Sequence, residues 1–115
     1  MPAPRPLIVY VDVDDTLIRS FGSKQIPITA AIESVRALCA EPGVVAYCWS
    51  SGGADYARDV CERLGMVELF RAFLPKPNVM VDDQPPAEWR TLVIVHPNEM
   101  SGLDHAGLKG RLGWQ

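Results

Sequence analysis

Long hydrophobic runs, a paired-cysteine framework, histidine clusters and an excess of positive charge are all missing from this sequence, and each gap removes a class of protein. The apolar runs, Leu7 to Val11 among them, fall far short of the roughly 20 residues that a membrane-spanning helix needs. The stretch from Met1 to Pro6 holds prolines and one arginine, with no hydrophobic segment leading to a small-residue cleavage site, so no secretory signal is read there and a cytoplasmic location is expected. Three cysteines, Cys39, Cys48 and Cys61, cannot all pair within the chain. None stands in a Cys-x-x-Cys or Cys/His ligand spacing, so all three read as reduced, buried packing residues. With 11 Lys and Arg against 14 Asp and Glu, the net charge is −3. That balance lacks the clustered basic residues that bind a nucleic-acid backbone, so nucleic acid is not an expected partner. No internal repeat or low-complexity tract is present.

What is present is an ordinary globular composition, 48% hydrophobic and 22% charged over 115 residues, enough for one core and one domain spanning 1–115. Leu7-Ile-Val-Tyr-Val-Asp-Val is a continuous β-branched run of the kind buried on both faces of a sheet. From Leu17 to Ile28, Gly22, Ser23, Lys24 and Pro27 break any helical period, so this segment reads as a flap. Thr29 offers an N-cap to a helix carrying Ala31, Ile32, Val35, Leu38 and Cys39 on one face and stopped by Glu41-Pro-Gly. Val44 to Trp49 is a second strand. A second helix runs from about Ala54 to Leu64, with Gly65 as its left-handed stop. Ala72-Phe-Leu, Val79-Met-Val and Thr91 to Val95 are three more strand candidates.

This order predicts an α/β fold: one three-layer domain with a mostly parallel five-stranded sheet, helices on both faces and no cap domain. The core spans about 7–98 and a Gly-rich tail 101–115. The four glycines of that tail argue against a helix in it, while Trp114 marks its end as a docking point. Two connections strain the scheme. Pro75 to Asn78 and Gln84 to Arg90 are both shorter than the dozen or so residues of a parallel crossover, so the carboxyl half is expected to be trimmed or partly antiparallel.

Asp12-Val-Asp14-Asp15-Thr16 stands where the first strand ends, the edge at which open α/β sheets bind ligands. Asp12 and Asp14, two apart, leave the same face while the chain stays extended. The second strand runs out at Ser50-Ser51, the third at Lys76 and the fourth at Asp82-Asp83. Five carboxylates gathered against one lysine repel one another unless a cation bridges them. Hard oxygen donors without a Cys or His cluster favour Mg²⁺.

Asp12-x-Asp14-x-Thr16, Ser50, Lys76 and the Asp82-Asp83 pair resemble, in order, the four motifs of the haloacid dehalogenase superfamily, over about residues 7 to 95. The resemblance implies a small, capless, Rossmann-like phosphohydrolase (a phosphatase). Asp12 would be its nucleophile, Asp14 its general acid and base, and Lys76 its neutralising cation. Thr16, Ser50, Ser51 and Lys76 form the implied substrate-binding set, Thr16 by bracing the loop and Ser51 as the reserve for Ser50. Asp12, Asp14, Asp82 and Asp83 form the implied Mg²⁺ set. The expected partner is a phosphorylated substrate, small or macromolecular, with no membrane partner. The absent cap and the tryptophan-bearing tail leave room for a homodimer.

Blander readings stand beside these. Paired aspartates serve as turn residues, Ser-Ser-Gly-Gly as a helix-start turn and Lys76 as a solvated loop residue. His96 reads as structural, Arg19 and Lys24 as a solvated face, and Trp49 and Trp89 as core. Asp15 stands where the family frequently has glycine. A response-regulator receiver domain uses similar residues in a different order and is set aside. A phosphotransferase, or a catalytically silent phosphate- or partner-binding module, remains as the alternative.

Overall fold

The computed structural model describes residues 5–114. Strand β1 (Leu7–Asp12) leads into a hairpin of β2 (Ile18–Phe21) and β3 (Lys24–Pro27). Helix α1 (Thr29–Cys39), β4 (Val44–Ser50), α2 (Ala54–Leu64) and β5 (Ala72–Pro75) follow, and α3 (His105–Arg111) closes the chain. The main sheet has three strands in the order β1-β4-β5, all parallel. The flap is the antiparallel hairpin, turned at Gly22 with φ 59°. Among the described residues no helix is long and apolar enough to cross a membrane.

The expected five strands are therefore three. Val79-Met-Val and Thr91 to Val95 form no strand, and Val79, Val81 and Ile94 are 79%, 99% and 83% exposed. The reason lies in the links: Pro75 to Asn78 is too short to carry a parallel crossover, and the prolines around both segments remove ladder donors. The expectation of helices on both faces also fails. Val11, Ala46 and Cys48 point to one face, where Val35 of α1 and Ala57, Val60 and Cys61 of α2 pack against them. Both crossovers step the same way across the sheet, so crossovers of one hand lay both helices on one side. The opposite face carries Ile8, Tyr10, Val45, Tyr47, Trp49, Ala72 and Leu74, with Ile8 and Tyr10 exposed.

Helix α1 begins on the residue expected to cap it, so its cap lies one position earlier. Ile28 is the N-cap, without a side-chain hydrogen bond, and Thr29 is the first helical residue. Helix α2 ends on Gly65 in the left-handed conformation, φ 69°, as expected. Arg36 of α1 donates to the Leu64 carbonyl at 3.0 Å, placing a cation on the negative end of α2. Cys48 and Cys61 are buried with their sulfurs 3.8 Å apart, and that contact together with burial pushes the Cys48 thiol up, out of the reactive range.

The tail does form a helix. Asp104 caps α3 by accepting from the Gly107 N–H at 2.7 Å, and Leu108 is buried with Leu7 and Leu38. Trp114 packs against the same cluster, with the Arg5 guanidinium 4.4 Å from its ring centre.

Candidate active site

Strand β1 delivers Asp12 to the carboxyl edge of the sheet and the chain then turns at once. The Val13 carbonyl accepts from the N–H groups of Thr16, Leu17 and Ile18, while Val13 and Leu17 are fully buried and anchor the turn. Asp15 within it adopts φ 60°, a left-handed conformation that glycine takes without strain and Asp tolerates.

Two groups hold the Asp12 carboxylate. Thr16 Oγ1 donates to Oδ2 at 3.2 Å, and Lys76 Nζ lies 3.0 Å from Oδ1. Lys76 is brought there by sheet pairing: β5 runs beside β4, and the Lys76 N–H donates to the Ser50 carbonyl at 2.9 Å. Both side chains are about two-thirds buried, so their attraction is screened less than that of a surface pair.

Ser50 is fully buried and its Oγ accepts from the Gly52 N–H at 3.0 Å, which shapes the turn leading into α2. Ser51 is exposed at the same edge. Asp14 is held from another direction. Tyr56 of α2 donates its hydroxyl to Asp14 Oδ1 at 2.8 Å, and Gln25 of the flap donates to the Tyr56 oxygen at 3.1 Å. A side chain at Gly52 would meet the Tyr56 ring at 2.9 Å, so the glycine is what lets the ring lie across the turn. Burial, and then the bond to Asp14, push the Tyr56 phenol above its ordinary value. Gln25 Oε1 is a buried acceptor without a partner among the described residues.

Asp12, Thr16 and Lys76 thus meet directly, with Ser50 and Ser51 on the neighbouring strand end and Asp14 tied to Tyr56. Asp82 and Asp83 are not brought in. Asp82 accepts from the Gln84 N–H at 2.9 Å in a local exposed turn. Among the described residues no three His, Cys, Asp or Glu side chains are grouped to hold a metal. The donors at the end of β1 are nonetheless all oxygen, and Mg²⁺ commonly takes one or two carboxylates with water and substrate phosphate completing its shell. The residues in place fit a Mg²⁺ that arrives with phosphate, not a protein cage built in advance.

Tyr56 escaped the sequence reading. It borders the core face of α2, four residues before Val60 and packed at the edge of the same cluster, so it reads as a packing residue, and it meets Asp14 across 42 residues of chain. His96 serves structurally, its Nδ1 accepting from the Asn98 N–H at 3.1 Å to start a 3₁₀ turn over Pro97–Gly102.

Comparison with models of known protein families, with curated proteins and with solved structures gave no match.

Proposed function

We propose that the protein is a Mg²⁺-assisted phosphohydrolase acting on a phosphate monoester through an aspartyl-phosphate at Asp12. The supporting observation is the Asp12 carboxylate at a strand end, oriented by Thr16 on one oxygen and Lys76 on the other. A carboxylate fixed in this way is placed for in-line attack, and the same lysine neutralises charge that grows on the phosphoryl oxygens.

An Asp12 oxygen bonds to phosphorus as the bond to the ester oxygen breaks, and Asp14 gives that oxygen its proton. Water then attacks phosphorus, the Asp12–phosphorus bond breaks, and Asp14 takes the proton of the water. Tyr56 keeps Asp14 oriented through both steps. Ser51 and the N–H groups at the start of α2 hold phosphoryl oxygens, while Ser50 shapes their turn. Mg²⁺, when bound, would add neutralisation of phosphate charge, and Asp12 and Asp14 would hold it.

The isolation of the acidic pair favours a second reading, phosphate or partner binding without turnover. A panel of phosphate esters with and without Mg²⁺, run on the wild type and on Asp12→Asn, separates the two. Metal-dependent phosphate release that Asp12→Asn loses by at least about a thousandfold supports the hydrolase. Tight phosphate binding with no release from any ester supports the binding module.

A further inference from the structure

We infer that the open sheet face beside Asp12 is a subsite for a planar aromatic ring on the substrate's leaving group, the base of a nucleoside monophosphate. The placement of its phosphate rests on the phosphohydrolase reading; the ring site itself does not.

The parallel register sets Tyr10 beside Tyr47, Asp12 beside Trp49, and Trp49 beside Leu74, so these side chains share one face. Tyr10 and Trp49 meet edge to face with centroids 4.9 Å apart, and Tyr10 and Tyr47 lie 5.3 Å apart at 42°. Tyr10 is 47% exposed although it stands in the middle of a strand. An aromatic cluster left open in a sheet offers an incoming ring both a stacking face and an edge.

What selects the occupant is the adjacency of the rings to the site of the proposed reaction. Lys76 Nζ lies 5.8 Å from the centre of the Trp49 ring and 3.0 Å from Asp12 Oδ1, so one cation touches both the aromatic cluster and the nucleophile. The remainder of the face, Ile8, Val45, Tyr47, Ala72 and Leu74, is uncharged. The surface is therefore apolar and aromatic along the strands and ends at the ion pair of Asp12 and Lys76, where the proposed reaction places the phosphate. Its complement is a flat ring carried on the group that bears that phosphate. An aliphatic phosphate ester meets the lysine and leaves the rings uncovered.

The test uses the full chain, labelled with ¹⁵N and titrated with adenosine, ribose 5-phosphate and AMP while the tryptophan indole resonances are followed. Adenosine is expected to shift the Trp49 indole and leave those of Trp89 and Trp114 in place. AMP is expected to bind on the order of tenfold more tightly than ribose 5-phosphate, the size of one stacked base. Tyr10→Ala should remove that preference with ribose 5-phosphate binding unchanged, which also reports a folded protein, and Tyr10→Phe should keep it. An unmoved Trp49 indole, equal binding of AMP and ribose 5-phosphate, or burial of this face by a second copy that excludes adenosine would overturn the inference. AMP bound as expected but never hydrolysed leaves the subsite standing and removes the phosphohydrolase. Equal kcat/KM for the two esters does the reverse.

Discussion

At the residue scale, the turn after β1 concentrates the constraints. Asp15 occupies a left-handed conformation at φ 60°, and a β-branched side chain there meets the backbone directly. Asp15→Val should destabilise the protein by about 1–2 kcal/mol in urea unfolding, while Asp15→Gly should stay within about 1 kcal/mol of wild type. Tyr56 gives a pH signature. Its pKa is raised in the folded state, so the stability from its contact with Asp14 is full below the ordinary tyrosine value and fades as pH rises through the raised one. Ultraviolet titration should show a phenol phase above the ordinary tyrosine range that Tyr56→Phe loses; a profile that Tyr56→Phe leaves unchanged in that range would refute it. Asp12 and Lys76 were legible in the sequence because each stands at a strand end, where backbone register fixes position, and Thr16 because it follows in the tight turn after β1. Tyr56 was not, since its role depends on how α2 crosses the turn and on the room that Gly52 leaves.

At the element scale, β1, β4, α2 and the Gly65 stop followed from continuous apolar runs and helical period. Residues 79–81 and 91–95 carry the same composition yet form no strand, because composition states what a segment would bury and not whether its links reach a partner. The tail shows the converse. Its glycines argued against helix, but the Asp104 cap and the burial of Leu108 outweigh about 1 kcal/mol of propensity per glycine. Glu99 fastens this region by accepting from the His96 N–H and from Arg111, and those bonds hold its carboxyl below the usual range. Its contribution is present above the ordinary glutamate pKa and is lost as pH falls through the lowered one. Acidification below the usual carboxylate range should therefore loosen the tail, seen as a change in Trp114 fluorescence that Glu99→Gln shows already at neutral pH. Fluorescence of the wild type that stays flat through that range would contradict the assignment.

At the scale of the whole molecule, stepping β1-β4-β5 in one direction puts both helices on one side and leaves the aromatic side uncovered next to Asp12. Strand patterns in the sequence cannot convey this, since a run of apolar residues reads alike whether one face is covered or two. The same topology sets Asp12, Lys76 and the ring cluster along one edge and leaves the acidic pair apart. The proposed hydrolysis requires a covalent phosphoryl group on Asp12. The most direct measurement is to quench turnover of a phosphate monoester with borohydride in the presence of Mg²⁺ and sequence the peptides by mass spectrometry. The account predicts reduction of residue 12 to homoserine, absent without ester. Phosphate release that proceeds with residue 12 unmodified, or with the mark at another aspartate, would contradict it.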